Sequence, residues 1–371
     1  MMESQESNVH VVETAQEIWG LSLQPAGCSH CGQAYLVDEK RTGIYCPNCA
    51  QAVLNPQPAR LRGELPEKII PFQVQHAGLK TIFTEFVKGV WLKFDDFNVE
   101  SLLNRAVPVF IPMWLVDSDI SGTWQGEMGY DYQVKSSQEY YGSGGWRTRE
   151  HLETRVSWEP RLGQVQRHYD NALTPGLSDH DKVMARLGAF AMKQAVRYTP
   201  EQLGEAVLRV PDLQAEQAWP IGREILGRRV AQHCQKAAGA QHYRSFDAKL
   251  DYDSLHWTQL LLPMYYTYYS DDEGRHHPVF VNGQSGAVSG VRLASQRKGW
   301  KWAGITAAIA VFLFLLTLGS FALGTLFPPV AAIGVVMVLL ALLAGIGAVV
   351  PAVWPWQWNR RQLGISVKES G

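Results

Sequence analysis

The pattern of hydrophobic and polar positions separates one long uncharged stretch near the C-terminus from the mixed sequence before it. Residues 303–353 include no Asp, Glu, Lys, Arg or His. A membrane-spanning helix needs about 20 apolar residues, and this stretch supplies two such segments, 303–327 and 330–350, on either side of Pro328-Pro329. The pattern therefore predicts a transmembrane helical hairpin over residues 298–358, with the lipid bilayer as one partner of the chain.

The charges that flank this hairpin predict its orientation. Lys298 and Lys301 precede the first segment, Arg360 and Arg361 follow the second, and the connecting turn has no charge. Positively charged flanks stay in the cytoplasm, so both ends, including a tail over residues 359–371, are expected there. The N-terminal residues do not read as a secretory signal. The sequence thus predicts a two-span protein of the cell inner (cytoplasmic) membrane. Five tryptophans fit an aromatic belt at the membrane surface: Trp300, Trp302, Trp354, Trp356 and Trp358.

The pattern before the hairpin changes period several times. Residues 1–24 are predicted to be disordered or loosely docked, and residues 54–64, with their prolines, form a linker. Apolar residues at helical spacing predict a helix over 78–91. A buried strand interrupted at Pro112 is expected over 109–117, and period-two alternation predicts strands over 124–134 and 152–158 with a turn at 159–163.

The helical period returns between residues 179 and 238. A capping box begins at Thr199, and Leu226, Val230 and Cys234 recur every four residues, which predicts a buried Cys234 thiol. Strands follow over 246–252, 260–269, 278–281 and 287–291. Residues 65–297 are therefore predicted to be an α+β domain, mainly antiparallel β with inserted helices.

Four of the five cysteines form two C-x-x-C pairs separated by fourteen residues: Cys28, Cys31, Cys46 and Cys49. Each pair forms a tight turn that directs two thiolates to one point, and four thiolates at about 2.3 Å close a tetrahedral Zn²⁺ site with no open position. The spacing predicts one structural zinc in a zinc ribbon over residues 25–53, with residues 35–37 and 43–45 paired as a hairpin. Metal binding would supply the folding energy that so short a segment lacks. A redox dithiol is the alternative interpretation of these cysteines.

Familiar catalytic motifs are missing from the sequence. It has no G-x-S-x-G, no phosphate-binding Gly-rich loop followed by Lys, and no H-E-x-x-H. Residues 117–128 begin like a calcium loop but place Met128 at the twelfth position. Asp251 and Asp253 share one face of a strand, and the acidic and histidine residues of 271–277 are expected in a solvated turn. No catalytic residue is predicted, although an enzyme whose site only the fold assembles remains an alternative.

Several motifs outside the hairpin resemble a known family. They are the four cysteines, Ile69-Ile-Pro-Phe72, the segment from Phe110 to Asp117, Leu262-Pro263, and Val281-Asn-Gly-Gln-Ser-Gly286. Together they are similar to a bacterial family of membrane-anchored zinc-ribbon proteins described as TFIIB-type zinc-ribbon or primosomal-protein-like. Some members are encoded beside phage-shock-type membrane-remodelling proteins, so the resemblance implies a role in envelope maintenance. The chain departs from the family's Gly-Glu-Arg-Pro-Tyr pattern, with Gly290-Val-Arg-Leu-Ala in its place.

Charge separates the remaining functional alternatives. The formal net charge is −1, and within 28–49 Lys40 and Arg41 are balanced by Asp38 and Glu39, while a Zn(Cys)₄ centre adds negative charge. Nucleic-acid binding depends on clustered basic residues, so nucleic acid is not the expected partner. We expect a docking or scaffold platform for a cytoplasmic protein, with nucleic-acid binding and an unrecognised enzyme as alternatives. Small residues four apart in the hairpin, such as Ser320 and Gly324, permit close helix approach within one chain or in a homo-oligomer.

Overall fold

The computed structural model describes residues 23–57, 65–326 and 328–369. Within them the chain forms a mixed α+β structure with one large sheet and six α-helices. The strands are β1 Leu23–Cys28, β2 Ala34–Asp38, β3 Leu54–Pro56, β4 Lys68–Ile69, β5 Val107–Gly142, β6 Gly145–Pro175, β7 Val196–Arg197, β8 Val207–Arg209, β9 His242–Ser270, β10 His276–Asn282 and β11 Val288–Gly290. The helices are α1 His76–Val87, α2 Val99–Asn104, α3 His180–Leu187, α4 Ala215–Ala237, α5 Gln296–Gly324 and α6 Pro328–Glu369. The α+β class predicted from the sequence is confirmed.

The main path of the sheet runs β11-β10-β9-β5-β8-β2-β1-β3. Most neighbours are antiparallel, and the parallel pairs among the described strands are β5 with β8 and β4 with β9. β5 is the central strand because it pairs with β9 on one side and with β8 and then β6 on the other. β5 therefore lies between β9–β11, from residues 242–290, and, across β8, the strands β1–β3 from residues 23–56.

β5, β6 and β9 are far longer than the pattern predicted, at 36, 31 and 29 residues. The predicted turn at 159–163 is wrong, because β6 runs through Pro160 and Gly163 in register with β5. β6 is an edge strand, where a residue without an N–H is tolerated. The predicted interruption at Pro112 is also wrong. Pro112 falls where β5 changes partner, after Phe110 pairs with β8 and before Met113 pairs with β6.

The cysteine-bearing segment pairs differently from the prediction. β2 does not pair with residues 43–45; it lies between β1 and β8, with Leu36 opposite Leu208. Tyr45 forms an isolated bridge to Val53, and β3, within the predicted linker, pairs with β1. The segment is therefore continuous with the large sheet. Of the segment 1–24, predicted to be disordered or loosely docked, residues 1–22 lie outside the described residues, as do linker residues 58–64. The prediction is wrong for Leu23 and Gln24, which begin β1.

The hydrophobic core follows this pairing. One cluster joins Cys28 and Cys46 to Ile111 of β5, Leu262 of β9 and Phe280 of β10. A second cluster lies beneath α1 and α2 and includes the four side chains that α1 buries, Leu79, Phe83, Phe86 and Val87. The helix predicted over 78–91 is thus present, although it ends at Val87, two residues before Gly89 takes a positive φ of 79°.

The two C-terminal helices are long and apolar enough to cross a membrane. Their most apolar windows are only 11% and 17% buried, so most of their hydrophobic side chains point away from the protein. The helices are therefore compatible with membrane insertion. Ser320 donates to the carbonyl of Val330 at 2.6 Å, and Ala341 is buried, so these two small residues contribute to packing within the hairpin. α6 continues to Glu369, through most of the predicted tail.

Candidate metal centre and the helix junction

The two C-x-x-C turns have the same local construction. In the first, between β1 and β2, the Gly32 amide donates to the Cys28 carbonyl at 2.9 Å. In the second, the Ala50 amide donates to the Cys46 carbonyl at 2.9 Å. Gly32 and Ala50 both have positive φ, 71° and 59°. This backbone conformation bends each turn so that amide groups point toward the sulfur atoms of that turn. Each turn therefore presents two thiols in one direction.

The structure brings the four predicted cysteines together. The Sγ atoms of Cys28 and Cys49 are 3.6 Å apart, as are those of Cys31 and Cys46, and all four lie within 4.8 Å of one another. A tetrahedral metal with bonds of about 2.3 Å places its sulfurs about 3.8 Å apart. The cluster thus has the donors and the dimensions to hold one metal ion.

The electrostatics of the cluster favour a bound cation. Burial raises the pKa of the Cys49 thiol to about 11, and burial likewise raises the pKa of Cys46. Burial also acts on Cys28, but amide hydrogen bonds from Cys31 and His30 lower its pKa overall. Four thiolates this close repel one another, and a central divalent cation removes that penalty. Metal binding must therefore displace protons from the cluster.

Two buried tyrosines that the sequence analysis did not identify line the inner side of the cluster. The Tyr35 hydroxyl lies 3.7 Å from Cys46 Sγ, within range of an O–H···S hydrogen bond that would stabilise a thiolate. Burial, followed by the nearby charge of Cys46, raises the pKa of Tyr266. Tyr35 lies between Ala34 and Leu36 in β2, and Tyr266 likewise lies in a largely apolar run of β9, so period-two alternation marks neither tyrosine.

The predicted solvated turn at 271–277 is present and exposed at its centre, residues 273–275, but the prediction is wrong for the residues at its two ends. His276 Nδ1 lies 2.8 Å from the carbonyl oxygen of Ala50, in the second cysteine turn, and its ring packs edge-on to Tyr45 at 4.7 Å. The Asp271 side chain is 2% exposed and accepts hydrogen bonds from Arg275 and His277. These residues are drawn inward because the β9–β10 hairpin folds over the cysteine segment.

Other residues considered from the sequence lie apart from the cluster. Cys234 is buried in α4 against β5 and β6, as its helical spacing predicted. Asp251 and Asp253 are exposed on β9. Among the described residues, the four cysteines are the only group of three or more His, Cys, Asp or Glu side chains arranged to hold a metal ion.

The apolar hairpin is fastened to the α+β body at both ends. At its start, Ser295 caps α5 and donates to Asp272 at 2.6 Å, while Lys298 Nζ binds Asp95. At its end, Trp358 donates to the Arg292 carbonyl at 2.6 Å. Asn359 makes two hydrogen bonds to the backbone of Ala294, at 2.8 and 2.9 Å. The ends of the two helices therefore meet the body at one junction.

The structure defines a class of protein: a mixed α+β body with a four-cysteine cluster in its core and a C-terminal pair of helices compatible with membrane insertion. No family model matches the sequence, and no curated protein and no solved structure is significantly similar to it.

Proposed function

We propose that the four cysteines bind one Zn²⁺ that acts as a structural ion. Four thiolates complete a tetrahedral shell and leave no position for a substrate or a reactive water. The sulfur separations of 3.6 Å support this assignment. The ion would fix β1, β2 and β3 against β8 and β10, because the cysteines belong to the same core as those strands.

We further propose that α5 and α6 cross the cytoplasmic membrane, with the α+β body and both ends of the hairpin in the cytoplasm. Lys298, Lys301, Arg360 and Arg361 lie at the junction end and support this orientation through the positive-inside rule. Exposed Trp300, Trp302 and Trp356 support placing this end of the helices at a membrane surface, because tryptophan is enriched there. Trp91 of the body contacts Trp354 at 5.5 Å and would lie at the same level.

The function that these features support best is a membrane-anchored docking platform that holds a cytoplasmic protein partner near the bilayer. The observation that carries it is the hydrogen-bonded junction, because a body fixed at both ends of its anchor keeps one orientation to the membrane. A flexible tether would localise the body without orienting it. Through the resemblance to envelope-associated zinc-ribbon proteins, the proposed setting is envelope stress or membrane maintenance.

Affinity capture from chemically crosslinked membranes tests this function. A deletion that begins near Leu65 is unsuitable, since it removes β1, β2 and β3 from the sheet. The comparison is therefore between the full chain and a tagged anchor of residues 296–371. We expect protein partners that only the full chain retains. Identical proteins on both baits, or salt-sensitive DNA or RNA alone on the full chain, would contradict the docking function.

A further inference from the structure

The distal part of the β5–β6 hairpin pairs with no other described strand. β9 begins at His242, opposite Gly129, and past that pair β5 and β6 continue without a third strand from Tyr130–Ser157 to Gly142–Gly145. These thirteen cross-strand pairs span roughly 45 Å. A two-stranded ribbon alone is marginally stable in water, so a bound partner would stabilise it. We call this distal ribbon, residues 130–157, the arm.

The arm points away from the junction with the apolar hairpin. The opposite end of the same strands is tied to that junction: the Ser270 amide, at the end of β9, donates to Asp96, and the Tyr269 hydroxyl accepts from the Leu293 amide. From Val107, at this end, to Gly142 the strand covers roughly 110 Å. The arm tip therefore lies far from the bilayer that we propose the helices cross.

One face of the strands is covered by a helix until the arm begins. Ile120 and Met128 of β5 are buried on this face, and α4 packs there through Leu226, Val230 and Cys234. The cover ends with α4, where the Tyr130 hydroxyl donates to the carbonyl of Ala238 at 3.0 Å. Because side chains alternate along a strand, the even-numbered residues of β5 beyond Tyr130 continue the face that α4 covers.

The continuation of this face combines tyrosine and arginine side chains. Tyr132 is 48% exposed and Tyr140 is 47% exposed. Their cross-strand neighbours on β6 are Arg155 and Arg147, and Arg149 lies opposite Gln138 between them. Tyrosine and arginine are enriched at the energetic centres of protein interfaces. We call this surface the arm strip: Tyr132, Val134, Tyr140, Arg147, Arg149 and Arg155.

Charge distinguishes the two faces of the arm. On the strip face, Glu153 pairs with Arg155 at 3.1 Å, and no described carboxylate forms an ion pair with Arg147 or Arg149. The opposite face carries a different set of charges: Asp131, Lys135, Glu139 and Glu150. The strip face is therefore net positive and the opposite face net negative.

We propose that the arm strip binds an acidic helical segment of a cytoplasmic protein, laid along the strip in line with α4. This inference rests on the proposed docking function and names its surface and the chemistry of its partner. Apolar side chains of the segment would pack on Tyr132, Val134 and Tyr140, as Leu226 and Val230 pack further along the same face. Its carboxylates would pair with Arg147 and Arg149, whose planar guanidinium groups suit carboxylates.

The same features disfavour other occupants. Three acidic side chains on the opposite face lie within the width of one ribbon and would repel a phosphate backbone wrapping around the arm. A second copy placed face to face would oppose arginine to arginine. The chain's own bilayer lies at the other end of the strands.

Photocrosslinking in the source cells tests the proposal on the full-length chain. Tyr140→p-benzoylphenylalanine places the crosslinker on the strip, and Glu139→p-benzoylphenylalanine places it on the opposite face one residue away. We expect a protein adduct from position 140 at least tenfold above that from position 139, with a crosslinked peptide of net negative charge. When Arg147→Glu and Arg149→Glu are both added to the variant with the crosslinker at position 140, at least nine-tenths of the adduct should be lost. Adding Lys135→Glu, on the opposite face, should leave the amount of adduct unchanged.

Each other outcome overturns the proposal. Adducts to nucleic acid, to lipid, to another copy of the chain or to a neutral or basic peptide all contradict an acidic segment, as do equal adducts from both faces or none from either. The thermal unfolding midpoints of the variants verify that the arm strip, and not the fold, has changed. If affinity capture identifies partners of the full chain but the crosslinker at position 140 forms no adduct with them, only this inference fails. If affinity capture also identifies no partner, the docking function fails with it.

Discussion

Individual side chains connect the cysteine cluster to the rest of the sheet. Cys46 is fully buried, contacts Tyr35 and belongs to the same core as Leu262 and Phe280. A change at this cysteine should therefore affect both metal binding and the α+β body, because three thiolates cannot complete the tetrahedral shell.

For Cys46→Ser, the expected metal content is below half an equivalent per chain, against one equivalent of zinc for the unaltered protein. Elemental analysis of freshly reduced protein measures this directly. Cys234→Ala is the matched control, since that thiol is buried in α4 away from the cluster, and it should keep its zinc. Iron as the bound metal, or full zinc occupancy in the Cys46 variant, would refute the assignment.

Asp271 provides a pH-dependent contribution to stability. Burial by itself raises the pKa of its carboxyl, but hydrogen bonds from His277, the Arg275 amide and the Glu273 amide outweigh burial and lower the pKa to about 2. Folding thus favours the charged form. The stabilisation is present above the ordinary pKa of about 3.9 and is lost as the pH falls toward 2.

Asp271→Asn should lower the free energy of unfolding by about 2 kcal/mol at neutral pH, because an amide cannot replace hydrogen bonds to a buried charge. Between about pH 4 and pH 2, the stability of the variant should also decline less than that of the unaltered protein. Unfolding in detergent at several pH values measures both effects. Glu273→Gln, an exposed carboxylate on the same turn, is the control, and an equal loss in it would argue against a special role for Asp271.

At the scale of an element, the contact of α5 with α6 near the junction depends on a residue without a side chain. A Cβ at Gly299 would lie 2.5 Å from the Pro351 carbonyl oxygen and 2.9 Å from Pro355 Cγ, so the helices must separate to admit it. At Gly304, five residues along α5, an added Cβ meets nothing within 4 Å.

Gly299→Ala should accordingly cost about 1–3 kcal/mol, as overpacking does elsewhere, whereas Gly304→Ala should be neutral or slightly stabilising because alanine favours helices. Thermal unfolding in the same detergent compares the two variants directly. Equal midpoints would show that the two helices do not approach as closely at Gly299 as the structure indicates.

At the scale of the whole molecule, metal removal should unfold more than the cysteine loops. Residues 23–57 contain no tryptophan and only Trp19 precedes them. In a Trp19→Phe variant, tryptophan fluorescence therefore reports on the protein after residue 57, including buried Trp114 of β5. Because β2 pairs with β8 and β8 with β5, a zinc chelator should change this fluorescence and lower the thermal midpoint in one transition. An independent ribbon would leave the fluorescence unchanged until the body unfolds at its usual temperature.

The proposed orientation makes a separate prediction for the whole chain. Protease added outside right-side-out membrane vesicles should spare the α+β body, and protease added to inverted vesicles should cleave it. The exposed arm, with Tyr141 and Trp146 at its tip more than 70% exposed, offers accessible bonds in the inverted case. Cleavage from the outside would reverse the assignment of both ends to the cytoplasm.

The sequence by itself determined the features that depend on composition and short spacing. Fifty-one consecutive uncharged residues at 303–353 indicate two apolar helices in any fold, since a charge-free stretch of that length has few other uses. Two C-x-x-C pairs indicate a metal site because each pair forms its own turn. The apolar face of α1 and the buried position of Cys234 likewise follow from helical periodicity over adjacent turns.

Only the tertiary structure decided how distant segments pair. Alternation indicates that residues are in strands, but it does not identify the partner strand, and so the pairing of Leu36 with Leu208 and of β3 with β1 was not foreseen. For the same reason one proline and one glycine at 159–163 suggested a turn, where the edge position of β6 allowed the strand to continue. The placement of His276 on Ala50, 226 residues apart in sequence, has no local signal at all. Strand pairing is a contact between segments far apart in the chain, and local periodicity carries no information about which segments will meet.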